Sequence, residues 1–472
     1  MNSKNTIIKF IILYFAVRLF SFFFSPITPL LPQSPINTII SVLIFALAIY
    51  WLLKKDERGW YIIAGEIILG GSGGYLRLDF VSLRTVLLMT SVTIFFIQKI
   101  VTEKITFFKQ YQAEFIIILV LISAVGLAAI RGLYMGHSHS AIYSDFIPYL
   151  FLLYYFPLRE MWLSDRFREL GKSAILAAIF GNVLMILFTQ IGLSSGLIVL
   201  QDSYYHWYRD VALGKITDLG FNFYRLVLNE HLLLIPIAIY FIGDIIKNKI
   251  TQINLSVVAC LLFILANNLT RAYILALAIG TLFLYSKNKW KRWLAISCTI
   301  GVLFILIFVS THILASRGKS LGLEIFGLRL QSIVSPQIEN SSLSRLLLLP
   351  KIFEKIKLHP ILGTGLGDTV TVFSPVFKTY ITTTHFDWGY YEINAEMGLF
   401  GTLSWIGLVL FTLYYITKTK EGYNKNIFKA IIVAILIINI TSPALFHVFG
   451  ILLIIFILSP IGIINHHEIE KK

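Results

Sequence analysis

Acidic and basic groups crowd one stretch of an otherwise apolar chain, Thr384-His385-Phe386-Asp387-Trp388-Gly389-Tyr390-Tyr391-Glu392-Ile393-Asn394-Ala395-Glu396-Met397-Gly398-Leu399-Phe400-Gly401. His385 or Asp387 suits general-base work on a hydroxyl, and the neighbouring aromatics suit stacking on flat faces. An interfacial aromatic belt with an acid at a helix start is the plainer account of the same residues. Arginines supply the second chemical element. Arg225, within Phe223-Tyr224-Arg225-Leu226-Val227-Leu228-Asn229-Glu230-His231, and Arg271, within Asn267-Asn268-Leu269-Thr270-Arg271-Ala272-Tyr273, stand among apolar residues, as do Arg77, Arg84 and Arg131. Several guanidinium groups converging on one face make a pocket for a phosphorylated ligand, and a pyrophosphate is the natural fit. Glu66 and Glu230 are read as partners of these arginines.

The elements that must position these residues are membrane spans. The chain has 472 residues, 57% hydrophobic and 14% charged, against about 25% charged in a soluble domain, which excludes an ordinary cytosolic enzyme. Apolar runs near the length needed to cross hydrocarbon predict spans at 6–24, 36–53, 60–76, 80–101, 114–134, 143–158, 174–193, 222–242, 253–268, 271–286, 293–311, 396–416, 427–441 and 444–463. The expected fold is an all-α polytopic membrane protein, a bundle of about 12–14 transmembrane helices with one large external loop containing short helices. Its expected parts are transmembrane helices over 1–311, an extracytoplasmic loop with the catalytic segment over 312–395, and closing helices with a cytoplasmic tail over 396–472.

Lys and Arg concentrate in the loops 54–59, 99–113, 159–172, 243–252, 286–292 and 417–429, which places those loops and both termini in the cytoplasm. Much of the net charge of +15 is therefore topological, and no nucleic-acid partner is expected. The first apolar run holds Arg18 and lacks a small-residue cleavage site after it, so it is expected to stay attached as a span. Cys260 and Cys298 both fall in predicted spans, so neither a disulfide framework nor a thiolate metal cluster can be built.

Within the external loop, 341–358 reads as an amphipathic helix. Leu343, Leu346, Leu347, Ile352, Phe353 and Ile356 form its apolar side, and Arg345, Lys351, Glu354, Lys355 and Lys357 its polar side. It suits either the bilayer surface or a lid packed on the spans. The run His359-Pro360-Ile361-Leu362-Gly363-Thr364-Gly365-Leu366-Gly367-Asp368 follows, readable as an anion-binding nest or as a plain tight turn. The loop 201–210, rich in Tyr and Trp, suits a sugar or the headgroup layer equally.

Taken in order, Glu66 to Gly71 with Ser82-Leu83-Arg84, Arg225 to His231, Thr270-Arg271-Ala272, Arg345 leading to His359–Gly365, and Asp387 followed by Glu396-Met397-Gly398-Leu399-Phe400-Gly401 resemble the bacterial O-antigen ligase and O-antigen polymerase superfamily. Thr441-Ser442-Pro443 and Phe449-Gly450 are also similar. The resemblance implies a fold like that of GT-C-type glycosyltransferases, in the inner membrane with the active site on its outer face. It implies transfer of a glycan from a polyprenyl pyrophosphate carrier, with membrane lipids and a chain-length regulator as further partners.

By the family's spacing Asp387 takes the acid/base position and His385 falls two residues early, so both stand as catalytic candidates. Arg225, Arg271, Arg345 and Arg84 are the expected pyrophosphate-binding residues, and Trp388, Tyr390, Tyr391 and Glu396 the expected sugar-binding ones. The outer loops lack an Asp-x-Asp pair, so no metal and no cofactor is expected, with arginines stabilising the leaving group. A single base implies inversion at the anomeric carbon. A polymerase acceptor is favoured over a ligase acceptor, and a lipid-linked oligosaccharide flippase is the alternative of another class, argued from the span number and buried charges.

Overall fold

A computed structural model describes residues 3–27, 30–31, 34–79, 81–103, 111–248, 250–335, 340–374, 378–418 and 425–469. In chain order the helices are α1 (Ser3–Phe24), α2 (Ile36–Leu53), α3 (Arg58–Leu69), α4 (Leu83–Glu103), α5 (Gln112–Tyr134), α6 (His139–Leu150), α7 (Tyr155–Met161), α8 (Asp165–Ser195), α9 (Leu234–Lys247), α10 (Gln252–Asn268), α11 (Arg271–Leu282), α12 (Trp290–Ser316), α13 (Leu323–Val334), α14 (Asn340–Leu358), α15 (Gly389–Lys418), α16 (Lys425–Ile438) and α17 (Val448–Ile469). Among the described residues nine helical segments are long and apolar enough to span a membrane, and three shorter apolar helices join them. The chain is an all-α polytopic membrane protein. Fewer segments reach spanning length among the described residues than the fourteen expected: 60–76 becomes the short α3 and a glycine turn, α10, α11 and α16 stop at 17, 12 and 14 residues, and in α17 the described apolar stretch is Val448–Ser459.

Among the described residues three antiparallel hairpins interrupt the helices: β1 (Arg77–Leu78) with β2 (Val81–Ser82), β3 (Lys215–Asp218) with β4 (Tyr224–Val227), and β5 (Val370–Ser374) with β6 (Thr379–Thr383). The second corrects the span expected at 222–242. Its first residues form β4, with Gly220 turning at φ +89° and its amide donating to Asp218 Oδ1 at 2.8 Å, and a short helical turn at Asn229–Leu233 then leads into α9.

The chain folds as two compact units, each discontinuous in sequence. One comprises 1–97, 160–270 and 284–326, the other 98–159, 271–283 and 327–472. Helix α12 extends to Ser316, and α15 begins at Gly389. In the first unit part of the aromatic loop at 201–210 enters the core. Trp207 and Tyr208 are buried with Tyr75, Met185 and Val211, and Trp207 Nε1 donates to Ser21 Oγ at 2.9 Å. These two rings are covered by protein, while Gln201, Asp202, Ser203 and Arg209 of the same loop are exposed. In the second unit a small core of Leu348, Ile352, Val370, Phe386 and Ala395 joins α14, the β5–β6 hairpin and the start of α15.

Candidate active site

Phe386 fixes the segment that carries the chemistry. Its ring is fully buried in that small core, and its amide donates to Glu392 Oε2 at 3.1 Å. The next residue, Asp387, has φ +59°, a left-handed conformation uncommon outside glycine and typical of held, functional backbone. Trp388 follows, with Nε1 donating to the Arg345 carbonyl at 2.9 Å. The Arg345 guanidinium in turn meets Asp387, with Nε 3.5 Å from Oδ2. Arg345 is thus tied to the segment through both its side chain and its backbone. The ion pair is partly open to solvent, and His385 is exposed, with its backbone amide and carbonyl bonded to the Thr383 hydroxyl.

Arg345 reaches Asp387 because α14 turns an unexpected face inward. Ser342, Arg345, Leu348, Leu349, Ile352, Lys355 and Ile356 recur at helical spacing on its more buried side, whereas Phe353 is exposed. This regroups the two sides expected from the sequence, which set Arg345 and Lys355 on the polar side with Lys351, Glu354 and Lys357. Both cations face inward because each has a carboxylate there. Lys355 Nζ lies 2.8 Å from both oxygens of Asp368, and Thr364 Oγ1 donates to the same carboxylate at 2.6 Å. One turn before Arg345, Ser342 Oγ accepts from Arg271 Nη2 at 2.6 Å. Arg271 Nη1 donates to Ser332 Oγ at 2.6 Å and to Ser332 O at 3.2 Å. Arg271 and Arg345 are therefore held along one face of α14.

The glycine-rich run is a splice rather than an anion nest. Helix α15 is broken at Gly398 (φ 63°, ψ −163°), a conformation essentially confined to glycine. The amides freed there, Leu399 and Phe400, donate to Pro360 O at 2.9 Å and Ile361 O at 3.2 Å. Thr364 N and Gly365 N donate back to Ala395 O at 2.8 Å and Glu396 O at 2.9 Å, and Leu366 N to Ala128 O at 3.0 Å. Gly367 N goes to Asp145 Oδ2 at 2.9 Å. Every amide from Gly363 to Gly367 has a protein acceptor, so the nest reading gives way to the turn. Arg131 braces the loop through Nε to the Gly363 carbonyl and Nη2 to His359 Nδ1.

Below the segment lie Asp145, Glu392 and Glu396, close enough to interact electrostatically with one another, with His385 also within range of Asp145. Glu396 is buried, takes a hydrogen bond from the Asp368 amide, and leaves Oε1 with no hydrogen-bond partner among the described residues. Trp388 is half-buried, Tyr391 packs edge-on against Phe353 at 5.0 Å, and the Tyr390 hydroxyl donates to Leu436 O at 2.7 Å. No group of three or more His, Cys, Asp or Glu among the described residues is arranged to hold a metal ion.

The two other arginines expected at the site belong to the first unit. Arg84 is buried against Glu66, with Nε 2.8 Å from Oε2 and Nη2 bonded to the Glu66 carbonyl at 3.0 Å. Arg225 sits on β4, with Nε donating to Asn268 O at 2.8 Å and Nη2 to Thr270 Oγ1 at 3.0 Å. Glu66 is thus paired as read from the sequence. Glu230 pairs instead with Arg18, at 3.1 Å.

Residues 256–406 match the family model described as O-antigen ligase. This supports the O-antigen ligase and polymerase superfamily, whose members are glycosyltransferase-like enzymes. The matched third of the chain contains Arg271, Arg345, the glycine run, His385, Asp387, Glu392 and Gly398, and it stops short of Arg84 and Arg225 on the N-terminal side. No curated protein matches the chain.

Sequence reasoning missed Asp145, the Lys355–Asp368 pair and the anchoring role of Glu392. A signal existed for the first, since an acid within an apolar span is costly and marks a functional or paired position.

Proposed function

We propose that this protein is a glycosyltransferase that moves a glycan from a polyprenyl pyrophosphate carrier to a sugar hydroxyl at the outer face of the plasma membrane. The observation that carries the reading is the Arg345–Asp387 ion pair, with Asp387 held at positive φ and Arg271 fastened one helical turn away. Asp387 accepts the proton of the acceptor hydroxyl as its oxygen bonds to the anomeric carbon. The bond from that carbon to the pyrophosphate oxygen breaks, and the electron pair leaves with the pyrophosphate. The growing negative charge meets Arg271 and Arg345, whose donors are already oriented by Ser332, Ser342 and the catalytic segment. A base in this position is worth about 10²–10⁴ in rate. Direct displacement inverts the anomeric centre.

The acceptor distinguishes two readings. In the polymerase, favoured by the aspartate at the base position and by the stretch Glu66 to Gly71, it is a lipid-linked repeat unit. In the ligase, favoured by the description of the matching family, it is a lipid A core or another finished acceptor. Lipid-linked glycans extracted from a deletion strain decide between them. Single repeats accumulate if the protein polymerises, and long lipid-bound chains accumulate if it ligates. An unchanged lipid-linked pool refutes both.

A further inference from the structure

The β5–β6 hairpin carries a face that the proposed transfer does not use. Its inner face packs Val370 and Val372 against α14. Its outer face presents two cross-strand pairs in register, Thr371 with Thr382 and Phe373 with Tyr380. The two rings meet edge to face at 5.5 Å while remaining 49% and 73% exposed, a large aromatic area for a two-stranded ribbon to leave open. The two threonine hydroxyls bond each other at 2.8 Å, which leaves one of their protons and further lone pairs for an outside partner. Threonine pair and aromatic pair are two residues apart along each strand, a step of roughly 7 Å. None of the four residues is charged.

An apolar ring face beside a row of hydroxyls matches the two sides of a sugar ring, whose C–H face stacks on aromatics and whose edges hydrogen-bond. The strand that carries this face, though not the face itself, leads into the candidate active site. Thr383, the last residue of β6, accepts from the His385 amide at 3.1 Å and donates to the His385 carbonyl at 3.0 Å. We infer that the outer face of the β5–β6 hairpin binds the glycan chain, with Phe373 and Tyr380 stacking on its sugars and Thr371 and Thr382 bonding its hydroxyls. This rests on the glycosyltransferase reading for the class of ligand and extends it to a subsite outside the reacting centre.

The test uses the full-length protein in nanodiscs carrying Asp387→Asn, so that binding is read without turnover. The probe is surface polysaccharide from the producing cells, stripped of lipid. The parent binds it, Tyr380→Ala on that background binds roughly two- to tenfold more weakly, and Tyr380→Trp restores binding. Equal affinity for parent and Tyr380→Ala overturns the inference, as does a parent that binds nothing. Stronger quenching by brominated lipid in Tyr380→Trp than in the parent, which already holds eight tryptophans, would place the hairpin in the bilayer and also overturn it. Transfer by the wild-type protein in the same nanodiscs reports separately on the enzyme reading: no transfer sinks that reading, whereas failed binding beside intact wild-type transfer sinks only the hairpin subsite.

Discussion

Replacing Glu392 by alanine removes the acceptor that the buried Phe386 amide uses, and the effect can be sized from the geometry. The amide donates at 3.1 Å from a residue whose ring is fully covered, so leaving it unpaired costs about 1–3 kcal/mol. Holding Asp387 at positive φ costs a similar 1–3 kcal/mol, which the surrounding contacts must offset. Losing the anchor therefore lets the turn relax, and a shift of about 1.4 kcal/mol lowers the population of the reactive conformer tenfold. In a transfer assay with lipid-linked donor, Glu392→Ala is expected to lower kcat about tenfold or more. KM for the donor should rise less than kcat falls, because Arg271 is fastened by Ser332 and Ser342 while only Arg345 is tied to the segment that Glu392 anchors. Glu392→Gln keeps an acceptor oxygen in place and should recover most of the loss. Equal losses in Gln and Ala, or a loss confined to donor KM, would refute the anchoring argument.

Gly398→Ala should destabilise the second unit by several kcal/mol, since a Cβ there meets the Ile361 backbone and the helix break supports four backbone hydrogen bonds with the glycine run. Thermal unfolding in nanodiscs checks it, and an unchanged midpoint counts against the splice. The Arg84–Glu66 pair is structural on this account, so Glu66→Ala, which strands a buried guanidinium, should cost about 3–5 kcal/mol. Arg84→Met with Glu66→Leu should be tolerated in both stability and transfer, and loss of transfer in a stable double variant would return Arg84 to the donor site.

The spans and the chemistry-bearing residue types were legible in the sequence, because hydropathy and residue identity are local properties. What was not legible depended on partners distant in the chain. Arg345 and Lys355 read as members of one polar side with Lys351 and Glu354, and only the approach of Asp387 and Asp368 sets them apart from those neighbours. Glu396-Met397-Gly398 reads as uninterrupted apolar helix, since the break needs Pro360 and Ile361 to receive the freed amides. The hairpin at 370–383 did carry a local signal, the β-branched and aromatic Val370-Thr371-Val372-Phe373 and Thr379-Tyr380-Ile381-Thr382. It was masked by the neighbouring amphipathic helix, which suggested a loop built of short helices. The arginines at 84 and 225 read as equals of Arg271 because an apolar setting alone does not reveal what a guanidinium already holds.

Single-turnover transfer by the Asp387→Asn protein, reconstituted in nanodiscs with lipid-linked donor and acceptor glycan, tests the central claim most directly. The account predicts a rate about 10²–10⁴ below wild type in a protein that still folds and binds donor. A rate within a few-fold of wild type would contradict it.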